Sequence, residues 1–145
     1  MFFDQNRDSM RRHYVESWRK AKTGLPLEPV EQMIADVVAD HPEYQPLLEA
    51  EDKALGREYL PEQGETNPFL HMGLHIAIRE QVSTDRPQGV RHVHQRLSRM
   101  RGSRLEAEHA MMECLAEMLW RAQRNNAMPD EAGYLDCLKG LLSRS

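Results

Sequence analysis

Strand-forming residues are scarce in this chain, and that scarcity excludes most β architectures. Aromatic residues make up only 6% of its 145 residues, and Val, Ile, Thr and Tyr are too thinly spread for a sheet-rich fold. No run approaches the ~18 consecutive apolar residues of a membrane span. The opening Met-Phe-Phe-Asp-Gln-Asn-Arg lacks the charged lead and apolar stretch of a secretory signal. Only two cysteines occur, Cys114 and Cys137, each inside a helical pattern. These features predict a cytoplasmic protein in which both thiols are reduced and sit in the core. There is no Gly-rich loop to cradle a phosphate and no serine in a nucleophile elbow, so nucleotide hydrolysis and serine-esterase chemistry have no footing.

What is present is charge, methionine and helical periodicity. Charged residues reach 29% and methionine numbers nine. The net charge of −4 is unevenly spread. Residues 28–65 hold eleven acids against Lys53 and Arg57, whereas residues 86–104 hold six arginines and no acid. The simple reading is that these stretches face each other or water. The alternative is a surface for a partner, with Arg91, Arg96 and Arg99 as the contact residues. No aromatic interleaves with the arginines and the chain is acidic overall, which argues against nucleic acid without excluding it.

At this length one domain over 1–145 is expected, with a core large enough to need no disulfide. The periodicity predicts an all-α, compact single-domain bundle of about six to seven helices. The first, over 3–22, carries Phe3, Met10, Tyr14, Trp18 and Ala21 and closes at Gly24. Pro29 starts a second with Val30, Met33, Ile34, Val37 and Val38, which stops before His41-Pro42. A short or broken helix follows at 43–55, then a long loop at 56–67. Asn67-Pro68 caps a central helix, Pro68–Val82. A turn at 85–89 leads to a helix over about 90–100 bearing Val90, Val93, Leu97 and Met100. Gly102 ends it. Ser103 and Glu106 then read as a capping box for a helix to about Asn125. A final helix from Asp130 presents Tyr134, Leu135, Leu138, Leu141 and Leu142.

The central helix carries the most pointed chemical signal. His71 and His75 lie one turn apart, on a face shared with Leu74, Ile78 and Val82. Imidazoles in an apolar stripe need hydrogen-bond partners or a metal. On the later helix His109 and Glu113 repeat the same spacing. The pattern suggests a divalent transition metal (Zn, Fe, Ni or Mn) held by His71, His75 and His109, with Glu113 or water as the fourth ligand. An open fourth position would permit catalysis; a closed shell would be structural. The competing reading makes His71 and His75 satisfied core histidines, Glu106 a cap, and Glu113 and Glu117 surface partners of Arg121 and Arg124. His94 is placed to approach a site, His92 faces solvent, and His13 and His41 read as surface or cap residues.

Several strings resemble one known family. Thr66-Asn-Pro-Phe-Leu-His-Met-Gly-Leu-His-Ile-Ala-Ile-Arg-Glu-Gln-Val82 is followed by Asp85-Arg-Pro-x-Gly-Val90. Glu106-Ala-Glu-His-Ala-Met-Met-Glu-Cys-Leu-Ala-Glu-Met-Leu-Trp120, Arg11-Arg-x-Tyr14…Trp18 and His41-Pro-Glu-Tyr44 are similar too. Together they look like the short bacterial proteins grouped as domain of unknown function 1841. The resemblance implies a small soluble all-helical protein and carries no established activity, ligand or catalytic residue. Three functions are therefore open: a metal-binding bundle, a non-catalytic adaptor with a charge-segregated surface, and a nucleic-acid-associated accessory protein. A homodimer is compatible with the apolar helix faces.

Overall fold

The computed structural model describes residues 2–50, 54–55 and 67–144, with backbone alone for 2–7 and 144. The loop expected at 56–67 falls outside the described residues except for Asn67. Among the described residues there are seven α-helices and no strand: α1 Phe2–Thr23, α2 Pro29–Ala39, α3 Gln45–Glu49, α4 Pro68–Thr84, α5 Val90–Arg101, α6 Arg104–Arg124 and α7 Glu131–Arg144. A 3-10 turn, Pro42–Tyr44, precedes α3. Along the chain there are two compact units, Met1–Ile76 and Ala77–Ser145, with the division falling inside α4. No helix among the described residues is long and apolar enough to cross a membrane.

In the first unit, α1 ends where Gly24 takes φ +73, a left-handed conformation that a side chain would strain. The Leu25 N–H then donates to the Lys20 carbonyl (2.9 Å), closing the last turn. Pro29 opens α2, and the Glu31 carboxylate reaches back to the Glu28 N–H at 2.8 Å. Glu31 also takes Lys20 Nζ at 2.8 Å, tying α2 to α1. Trp18 Nε1 donates to Glu49 at 3.2 Å, tying α1 to α3.

The core of this unit gathers Tyr14, Ile34, Val37, Val38, Leu48, Ala54, Phe69 and Met72. Arg11 is 2% exposed, a charged residue buried beside this core. Its guanidinium donates to the Ala54 carbonyl at 3.1 Å and stands 4.7 Å from the Phe69 ring centre. A planar, weakly hydrated cation with an apolar stem can be buried in this way. Met10 and Val30, expected inside, are about half exposed at 52% and 49%.

In the second unit, Asp85 adopts a left-handed φ of +52, and its carboxylate accepts from the Gly89 and Arg91 amides, each at 3.1 Å. The Arg86–Pro87 peptide is cis. α5 buries Val90, Val93, His94 and Leu97, the i, i+3, i+4, i+7 set that faces a core. Met100 is 40% exposed, because α5 ends at Gly102 before the stripe gains another covered turn. Ser103 Oγ accepts from the Glu106 N–H at 3.0 Å and starts α6. Asp130 caps α7 through the Gly133 N–H at 3.0 Å. Tyr134, Leu138 and Leu141 of α7 are buried, and α7 packs on α5 and α6.

Cys114 and Cys137 form a disulfide joining α6 to α7, with Cα atoms 5.8 Å apart. This corrects the expectation of two reduced thiols. The pairing arises because the turn at 125–130 brings the two helices back alongside each other, a fact of tertiary geometry that spacing alone does not express.

Burial pushes the phenols of Tyr14 and Tyr134 up to about 12; the hydrogen bond from Tyr134 to Gln81 (2.6 Å) offsets part of the rise in Tyr134. An unfolded tyrosine ionises near ~10, so the unfolded chain releases these protons first. Stability is expected to be unaffected by these groups below about pH 10 and to fall from there toward pH 12. Phe at both positions should flatten that alkaline decline in chemical denaturation, and an unchanged slope would contradict the assignment.

Candidate metal centre

The first unit brings three histidines together. His71 and His75 come from α4, whose register is fixed at its start. The Asn67 side chain accepts from the Phe69 and Leu70 amides at 2.9 and 3.2 Å, and Pro68 occupies the first turn. One turn separates the two imidazoles, and their ring centres are 4.9 Å apart. His75 is fully buried, and His71 is half-buried.

The third histidine is His41, expected from sequence on the surface or at a cap. It is 3% exposed. α2 must stop before Pro42, since the residue ahead of a proline avoids helical geometry, and His41 takes φ −127, ψ 71. That kink turns the ring inward. His41 then stands 5.1 Å from His71 and 4.7 Å from His75, ring centre to ring centre. Tyr44 stacks on the His41 ring at 5.5 Å with planes 6° apart, and also edges His71 at 6.1 Å. Burial, and secondarily the charge of Glu43, hold the Tyr44 phenol above its ordinary value.

The Nδ1 atom of His41 lies 2.7 Å from the Val37 carbonyl oxygen. A carbonyl only accepts, so Nδ1 carries a proton and Nε2 is the nitrogen left for a metal. A backbone carbonyl bonded to one ring nitrogen is the usual way of orienting a metal-binding imidazole through the other.

Among the described residues of the first unit, His41, His71 and His75 could together hold a metal ion, with donor atoms that lie within 4.8 Å of one another. His109 belongs to α6 of the second unit, with its side chain 40% exposed and Nδ1 3.4 Å from Glu106. Glu113 is exposed on α6 and is not in the group. Glu117 pairs with Arg121 at 2.7 Å on the surface, as helical spacing implies.

Of the arginines, Arg96 and Arg99 are exposed on α5. Arg91 is exposed too, but its guanidinium is engaged. Nε donates to the Val82 carbonyl and Nη2 to the Ser83 carbonyl, each at 2.9 Å. It therefore caps the end of α4, which accounts for this residue without a partner.

The second unit holds a buried ionic cluster that sequence reasoning missed. Glu108 is fully buried. It receives Arg79 Nε at 3.2 and 3.3 Å and stands 2.9 Å from His94 Nε2. A signal was available: Met111, Met112 and Leu115 follow Glu108 at i+3, i+4 and i+7, so the carboxylate shares the apolar face of α6. The acids weighed from sequence, Glu106, Glu113 and Glu117, all lie exposed.

These features define an all-helical protein with a tight cluster of histidines built on α4 and the end of α2. The chain matches the family described as Domain of unknown function (DUF1841) over residues 6–140, and it belongs to that family. None of the curated proteins matches it, and neither does any solved structure.

Proposed function

We propose that this protein binds a divalent transition metal through His41, His71 and His75. The observation that carries the reading is the convergence of three imidazoles from two separate elements, one of them already oriented by the Val37 carbonyl. Ligand chemistry narrows the ion. An all-imidazole set suits zinc, nickel or iron better than manganese, which prefers carboxylate and water oxygen. Tetrahedral zinc with bonds of ~2.0–2.1 Å sets its nitrogens about 3.3 Å apart, within the 4.8 Å limit of the present donor spacing. A fourth protein ligand would close the shell and make the site structural. Three imidazoles with an open position would leave a Lewis-acidic site.

The test is elemental analysis of protein purified without a histidine tag, before and after dialysis against chelator, followed by titration with zinc, nickel or iron(II). One bound ion per chain is expected. It should be lost in His75→Ala and His41→Ala variants that retain their helical circular dichroism. Wild-type protein that takes up none of these ions would overturn the proposal.

A second reading, an interaction module, draws on the exposure of Arg96 and Arg99 on the outer face of α5. Charge reversal at both positions should then abolish salt-sensitive binding of a defined acidic protein while leaving metal content unchanged.

A further inference from the structure

The Cys114–Cys137 bridge is a covalent feature that metal binding does not use. The two cysteines are unequally placed. Cys114 is 2% exposed in the buried face of α6, whereas Cys137 is only partly covered on α7. Both line a surface groove of about 360 Å³ between α6 and α7. Glu117, Asp130 and Asp136 supply three carboxylates to this groove, and Arg121, already paired with Glu117, supplies a cation. Away from the bridge, α7 stays anchored by buried Tyr134, Leu138 and Leu141 and by the hydrogen bond from Tyr134 to Gln81. Opening the bridge would therefore leave the helix seated.

We propose that this bridge is a thiol–disulfide exchange site, opened through Cys137 by a dithiol reductant that enters the α6–α7 groove. The reductant's thiolate attacks Cys137 Sγ, forming a mixed disulfide and breaking the bond to Cys114 Sγ. Cys114 leaves as a thiolate and takes up a proton. The reductant's second thiol then attacks its own sulfur in the mixed disulfide, releasing Cys137, which is protonated in turn. Two electrons pass from the dithiol to the cysteine pair, and the reductant leaves as a disulfide. The three carboxylates outnumber the one cation and give the groove a negative character. A reductant with cationic residues beside its thiols is therefore the better fit.

Dithiothreitol serves as the dithiol probe on the whole folded protein, with alkylation and mass spectrometry as the readout. Reduction should proceed without denaturant, at a rate that rises linearly with dithiol concentration, and helical circular dichroism should persist. Single variants assign the attacked sulfur. In Cys114→Ala, Cys137 should form a mixed disulfide with oxidised glutathione on the order of tenfold faster or more than Cys114 does in Cys137→Ala, because access governs exchange. Denaturant should erase the difference. Equal rates in the two folded variants would overturn the proposal. So would a bridge that opens only on unfolding, or two free thiols in protein purified without reductant.

Discussion

Replacing Glu108 by alanine is expected to destabilise the protein by about 3–5 kcal/mol, the cost of breaking a buried ion pair by removing one partner. The carboxylate is fully buried, and it is the acceptor for both Arg79 Nε and His94 Nε2. Its loss removes the carboxylate that receives Arg79 Nε, on a side chain only 10% exposed. Urea unfolding followed by circular dichroism measures the effect. Glu108→Gln keeps an acceptor of the same size and should lose less. Combining Glu108→Met with Arg79→Met should recover much of the loss, because a buried pair exchanged whole for apolar groups is close to neutral. An alanine variant within ~0.5 kcal/mol of wild type would show that the cluster contributes no more than an ordinary surface position.

The second large effect is expected at the disulfide. The bridged residues are 23 apart. Closing a loop of that length restricts the unfolded chain enough to contribute about 3 kcal/mol in the chain-entropy account. The double Cys114→Ser, Cys137→Ser variant should therefore unfold at lower urea, with its helical content intact under native conditions. The contrast with Glu108 is informative. The serine variant acts mainly on the unfolded state, whereas the alanine variant acts on the folded one. A serine variant with an unchanged midpoint would mean that strain in the native bridge cancels the entropic gain.

Much of the helical framework was legible in the residues. The boundaries at Gly24, Pro29, His41-Pro42, Asn67-Pro68, Gly102 and Asp130 follow from local rules, since caps and proline act over a few positions. The stripes Val90, Val93, Leu97 and Tyr134, Leu138, Leu141 are buried as their spacing requires. Where the reading failed, the deciding physics lay beyond one helix. Met10, Val30 and Met100 fit a stripe yet stay substantially exposed, because periodicity says which face is apolar and not whether a neighbour covers it.

The candidate site shows the same division. His71 and His75 stand out because i, i+4 spacing is a property of one helix. His41 does not, since a residue before proline signals a helix end, and helix ends are commonly wet. Only the fold reveals that this end is turned inward beside Val37 and Tyr44. Glu108 was within reach of a helical wheel, hidden among acids that fit surface pairing better. The cysteine pairing was not, because it depends on how α7 returns along α6.

The clasp of Arg91 on Val82 and Ser83 bears on any mutational survey of the basic stretch. Swapping that arginine for an acid would fray the terminus it seals and place a negative charge beside bare carbonyls. Weakened binding in such a mutant would then report local unravelling as readily as a lost encounter surface. Arg96 and Arg99, which hold no such post, are the cleaner probes.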